Sequence, residues 1–177
     1  MTVALTPPTQ EEFNPFYAGY IEFATKRGDV FAGMSHQLDE MKSTLGKLSD
    51  PQARFRNGPE EWSIKEIISH LIDGERVFSY RMLRVSRNDK TPLPGFEQND
   101  YVKESGADEL LLEDLLAEFE FLRRANILAV KNMSADMLER TGTASGAPIS
   151  VRALIYILVG HVDHHLASLQ EKYLPFV

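Results

Sequence analysis

Apolar residues recur at helical spacing along four long stretches of this chain, and nowhere is there a strand pair of consequence. The first stretch, Asp29 to Leu48, carries Val30, Phe31, Met34, Leu38, Met41, Leu45 and Leu48, mostly at steps of three and four. A shorter aromatic helix with Phe16, Tyr17, Tyr20, Ile21 and Phe23 precedes it, and a break is expected at Arg27-Gly28. The second stretch runs from Ser63 to about Arg87, with Ile64, Ile67, Ile68, Leu71, Phe78, Met82 and Val85 as core positions. Ser63 with Glu66 three residues on reads as a capping box, and Trp62 before the cap as a hydrophobic staple. The third, Asp108 to Asn132, presents Leu112, Leu115, Phe119, Leu122, Ala129 and Met133 on one face, with Asn126 its one polar position. Asp108 and Glu109 suit the positive end of its dipole. Ser150 caps the fourth, which contains Leu154 to Leu169. Turn formers separate the four, and Arg140 to Pro148, rich in Gly, Thr and Ser, reads as a loop. The fold class predicted is all-α, an antiparallel four-helix bundle with a short extra N-terminal helix. Residues 1–12, polar and containing Pro7-Pro8, are read as an extended arm, and residues 13–177 as one domain.

Histidines enter the fourth stripe. Leu154, Leu158, His161, His165 and Leu169 follow one another at steps of 4, 3, 4 and 4, so two imidazoles about 6 Å apart continue the apolar face. His164 falls roughly 100° away at its edge, and Asp163 points about opposite to the pair, toward solvent. Buried imidazoles need partners, and either a shared metal ion or a hydrogen-bonded histidine cluster supplies them. His36 lies off its own stripe and is read as exposed. His70, on the second helix, borders an apolar face. Facing helices of a bundle build sites from inward side chains, which groups His70, His161 and His165 into a three-imidazole set. Three protein ligands with an open position are the pattern of a catalytic rather than a structural metal site.

Several neighbours carry two readings. Gly74, one turn after His70, costs roughly 1 kcal/mol relative to alanine, which points either to room beside His70 or to close helix packing. Glu66, one turn before His70, is placed to hydrogen-bond a ligand imidazole, although its cap accounts for it. His164 is either a base beside the metal or an exposed residue. Phe96 and Tyr101, in the connection from Asn88 to Ser105, either wall a pocket or cover the end of the bundle.

Composition narrows the chemistry. No cysteine is present in the 177 residues, which excludes disulfides, thiolate ligands and an intrinsic thiol nucleophile. A net charge of −7, from 26 acidic against 19 basic residues, argues against a nucleic-acid surface. Arg81, Arg84, Arg123 and Arg124 read as solvated helix faces. No apolar run reaches membrane-spanning length and the first ten residues lack the pattern of a signal peptide, so a cytoplasmic protein is expected, with no membrane partner.

Gly58-Pro59, Trp62-Ser63-Ile64-Lys65-Glu66, His70-Leu71, Glu75-Arg76, Leu93-Pro94-Gly95-Phe96 and His161-Val162-Asp163-His164-His165, in this order and spacing, resemble the DinB-like superfamily, which includes the YfiT-like proteins. The likeness runs from about Phe16 onward. It implies a metal-binding four-helix bundle in which His70, His161 and His165 hold a divalent ion such as zinc or nickel. It also implies a small-molecule substrate and, by analogy with the better understood members, transfer or isomerisation using a low-molecular-weight thiol such as bacillithiol, mycothiol or glutathione. The alternative is a non-catalytic metal-binding stress protein with a structural ion. Many members carry a glutamine three residues beyond the last histidine, where this chain has Ser168. Val162 after His161, in place of glutamate, removes the metalloprotease pattern. Homodimerisation is compatible with such a bundle.

Overall fold

The computed structural model describes residues 5–177. Eight helices follow in order: α1 (Ala18–Arg27), α2 (Val30–Leu45), α3 (Asp50–Ala53), α4 (Ile64–Ser86), α5 (Gln98–Glu104), α6 (Leu112–Lys131), α7 (Ala135–Leu138) and α8 (Val151–Lys172). Helices α2, α4, α6 and α8 form the bundle, and α1 is the extra N-terminal helix. The break between α1 and α2 falls at Gly28, whose φ of +87° a side-chain-bearing residue rarely adopts. Ser63 caps α4 as its sequence requires: its Oγ accepts from Glu66 N at 3.0 Å, while Glu66 Oε2 accepts from Ser63 N at 2.8 Å.

Helix α8 lies at the centre. Every residue from Ala153 to Asp163 is buried, which matches the unbroken apolar run Ala153 to Val159 and a helix covered on all sides. Helix α1 supplies the cover that a plain four-helix bundle would leave out. Its approach depends on Gly160, because a Cβ there would lie 1.7 Å from the carbonyl oxygen of Tyr20.

Three features depart from the sequence reading. Arg140 to Pro148 is not a loop: β1 (Thr141–Ala144) pairs antiparallel with β2 (Ala147–Ser150). The turn is Ser145-Gly146, both at positive φ (52° and 76°), the backbone demanded by a two-residue type I′ hairpin. The hairpin also holds the preceding connection, through Leu93 N to Thr143 O at 2.9 Å and Ser145 N to Leu93 O at 3.0 Å. The third bundle helix starts at Leu112 rather than Asp108, since Ala107–Glu109 is a separate 3₁₀ turn. There Asp108 accepts from the Ser63 hydroxyl at 2.6 Å and from Arg56, so it braces the start of α4, and Glu113 and Asp114 occupy the first turn of α6 instead.

The arm is described from Leu5 onward. Its residues 1–4 lie outside the described residues, but the rest is strapped to the start of α8. The Ser150 hydroxyl donates to Glu12 at 2.7 Å, Arg152 pairs with the same carboxylate, and the Tyr156 hydroxyl donates to Leu5 O at 3.1 Å.

The third departure concerns charge. Arg81 and Arg123 are not solvated faces: their exposures are 3% and 0%. Asp163, expected to face solvent, is 8% exposed. Arg123 donates to Glu75 at 2.5 Å, to Gln37 at 2.8 Å and to Leu158 O at 3.0 Å, and Asn126 donates to the other oxygen of Glu75 at 2.7 Å. Gln37 donates in turn to Asp163 at 2.7 Å, and Arg27 grips Asp163 with bonds of 2.5 and 2.8 Å. This chain of polar side chains touches α1, α2, α4, α6 and α8. Removing one member strands a buried charge, which costs more than replacing the pair. Arg123→Met should therefore lower stability by about 3–5 kcal/mol in urea denaturation, with a large share recovered in the double variant Glu75→Leu/Arg123→Met; a single variant as stable as the parent would contradict the assignment.

Candidate metal centre

Helix α4 delivers His70, and one face of α8 delivers His161 and His165. His70 and His161 are 2% and 4% exposed, and His165 is half-buried. Nε2 of His70 stands 2.8 Å from Nε2 of His161. The three ring centroids lie 4.7–4.9 Å apart, and one nitrogen from each ring falls within 4.8 Å of the other two. Nitrogens bound to one tetrahedral zinc at about 2.0–2.1 Å would be separated by roughly 3.4 Å, so the observed set converges on the spacing an ion needs.

The state of the rings favours a cation. Burial pushes His70 down from 6.5 to about 4, with His164 adding to the effect. Burial also pushes His161 and His165 well below 6.5, helped by the neighbouring histidines. All three are neutral at physiological pH, the form that ligates metal. His70 Nδ1 is buried with no hydrogen-bond partner, and its Nε2 meets only another imidazole nitrogen. A divalent ion would give the facing lone pairs a common partner.

Gly74 has a specific reason. A Cβ at this position would lie 2.7 Å from Cε1 and 2.9 Å from Nδ1 of His161, so the glycine admits that ring across the α4–α8 contact. The space serves His161 rather than His70. The Trp62 ring lies 4.8 Å from His70 and stacks against His165 at 6.5 Å. Trp62 thus covers two of the three histidines.

A cavity of about 290 Å³ reaches His70 and His161. Tyr17, Tyr20, Phe78 and Phe96 form its apolar wall. Phe96 therefore walls a pocket at the histidines. Tyr101 packs its ring 5.2 Å from Phe96 but is 48% exposed and does not border this cavity. Glu66 is not behind the metal site: its carboxylate serves the Ser63 cap and pairs with Arg56 at 2.5 Å, and His70 Nδ1 receives no bond from it. His164 is exposed at the edge of the face, with Tyr20 and Phe23 rings 5.4 and 5.8 Å away. His36 is exposed as expected.

Tyr17, Tyr20, Phe78 and Ser145 were given no role at the site by sequence alone. Tyr17 and Tyr20 do show a signal, since their three-residue spacing puts both on one side of a chain segment already marked as aromatic.

A helical bundle in which two buried histidines and one half-buried histidine converge from two helices defines the class. The model of the DinB superfamily matches residues 34–169, and the chain belongs to that superfamily. Among solved structures, YfiT from Bacillus subtilis, a probable metal-dependent hydrolase with an unusual four-helix bundle topology, is similar with a TM-score of 0.74. The two are 15% identical, and the match covers 90% of this chain and 91% of that one. A mycothiol-dependent maleylpyruvate isomerase is similar at a TM-score of 0.65 and 14% identity, over 79% of this chain and 59% of the isomerase. No curated protein matches the sequence. At these identities the likenesses establish a shared fold.

Two outcomes follow from the centre's geometry. Gly74→Ala should weaken metal binding at least about tenfold in a competition titration while leaving helix content unchanged, because alanine favours a helix by about 1 kcal/mol yet collides with His161; unaltered affinity would contradict the packing. Metal-free protein should melt at a constant temperature above about pH 7 and progressively lower as pH falls from 6.5 toward 5, since the unfolded chain takes up protons that the buried imidazoles refuse. A variant with glutamine at all three positions should lose that part of the slope, and an unchanged slope would contradict it.

Proposed function

We propose that the protein is a metal-dependent enzyme that uses a low-molecular-weight thiol on a small electrophilic substrate, in a transfer or isomerisation reaction. The observation that carries this reading is the position of the triad: three imidazoles converge, and two of them, His70 and His161, line an aromatic-walled cavity, so a ligand in the cavity meets those two residues. His70, His161 and His165 would hold a divalent ion, zinc or nickel. Such an ion lowers the pKa of a thiol or water bound at its open position, supplying a nucleophile near neutral pH.

The remaining steps belong to the chain. Trp62 packs over His70 and His165 and shields those two rings. Tyr20, Phe78 and Phe96 exclude water around the reacting groups and hold an apolar substrate body. The chain has no cysteine, so the thiol comes from solution. Such thiols are kept reduced in the cytoplasm, where the reading places the protein. Exposed Tyr80, Leu83, Phe121 and Leu128 on α4 and α6 support a homodimer as part of the same proposal.

A second reading replaces the thiol by water. It is favoured by the more extensive likeness to YfiT, the probable hydrolase.

The test is a panel of bacillithiol, mycothiol and glutathione with a generic electrophile, beside a thiol-free ester. Thiol transfer by the parent and background rates for a still-folded His70→Ala are expected. Ester cleavage without thiol would favour the hydrolytic reading. Loss of melting temperature together with metal in His70→Ala, and no turnover of any substrate by the parent, would overturn both in favour of a structural ion.

A further inference from the structure

Three basic side chains are buried among the described residues: Lys65, Arg81 and Arg123. Lys65 is paired with Asp50 and Arg123 with Glu75. Arg81 has no carboxylate. Its guanidinium donates only to neutral oxygens: Pro94 O at 2.8 Å, the Ser145 hydroxyl at 3.0 Å and the Tyr17 hydroxyl at 3.3 Å. The Phe78 and Phe96 rings flank it at 5.9 and 6.0 Å. Neutral acceptors and ring faces ease the desolvation of a cation but leave its charge unbalanced.

That charge stands behind the cavity that reaches the histidines. Tyr17, Phe78, Phe96 and Ser145 all touch Arg81 and all line the cavity. Phe78 alone spans the distance between the two ends, with its ring 5.7 Å from that of His161 and 5.9 Å from the guanidinium carbon. The hydroxyls matter most. Each accepts from Arg81 through a lone pair, which leaves its own proton to be donated elsewhere, and both residues line the cavity. Two O–H donors polarised by a buried guanidinium match the two oxygens of a carboxylate. Glu97, the acidic side chain on the lining, caps α5 by accepting from Asn99 N at 3.2 Å and is exposed, so water and salt screen it.

We propose that the Arg81 end of the cavity, through the Tyr17 and Ser145 hydroxyls, is a subsite for the carboxylate of a small molecule whose other end reaches His70 and His161. The role of that molecule in a reaction rests on the function proposed above; the subsite does not. The same carboxylate chemistry is available on a thiol cosubstrate or on its electrophilic partner. Helix α4 carries both ends, with His70 and Arg81 eleven residues apart on one rigid rod, which favours a ligand of fixed length.

Calorimetry of the protein as purified tests this with two matched pairs of probes, trans-cinnamate against cinnamamide and 3-mercaptopropionate against its amide. At least one carboxylate should bind about tenfold or more tighter than its amide, as expected for hydrogen bonds to a charged group. A preference confined to the mercapto pair assigns the subsite to the thiol, and one confined to the cinnamate pair assigns it to the acceptor. Arg81→Gln should abolish the preference. Tyr17→Phe and Ser145→Gly, which remove one hydroxyl each without disturbing the core, should each reduce it about threefold to tenfold. Equal binding of acid and amide in both pairs would overturn the proposal. So would a preference that survives in Tyr17→Phe and Ser145→Gly, which places the carboxylate elsewhere, on the metal for instance. Metal content and thiol transfer are read separately: a carboxylate preference in a protein that holds no ion leaves this subsite standing and removes the enzymatic reading.

Discussion

Enclosure of α8 is the constraint on which the rest of the structure depends. From Ala153 to Asp163 the helix has no exposed residue, so every polar group on it must be answered by protein or ligand. Arg27 and Gln37 answer Asp163. Gln37 and Arg123 answer the carbonyls of Val159 and Leu158. For His161 the protein offers only other imidazoles, chiefly His70 at 2.8 Å. The same burial that holds these rings neutral thus leaves their lone pairs facing one another in the core, and a divalent cation would answer them.

Helix α1 turns that core into a site. It seals one side of α8 against Gly160, places Arg27 on Asp163 and contributes Tyr20 to the cavity beside His161. The hairpin performs the corresponding task at the other end, where its turn sets Ser145 against Arg81 and holds Leu93, close to Phe96 in sequence, in place. Elements outside the four-helix pattern therefore form much of the cavity, while the bundle itself supplies the ligands. Within one superfamily such additions are where the choice of substrate can differ without change to the metal site.

The four helices were legible because their stripes are regular, and the break at Gly28, the Ser63 cap and the convergence of His70, His161 and His165 all followed from spacing. Asp163 was misread because the sequence argument gave α8 one buried face, whereas a helix covered all round has none to spare for solvent; the apolar run Ala153 to Val159 was the sign of it. Arg123 and Arg81 were misread by residue type. Yet Arg123 stands four residues after Phe119 and three before Asn126, and Arg81 three after Phe78 and four before Val85, positions that continue their stripes inward. The hairpin was hidden because its strands are four residues each and mostly small, with the Ser145-Gly146 pair as the one turn signal. Where Glu66 and His164 point was beyond spacing alone: one was decided by Arg56 in the connection leading into α4, the other by the rings of α1.

The account turns on whether the imidazole cluster holds a metal. Protein purified without a histidine tag and measured by elemental mass spectrometry should carry about one divalent transition-metal ion per chain, and His161→Ala, still folded, should carry almost none. An ion-free parent, or an ion retained undiminished in His161→Ala, would contradict it.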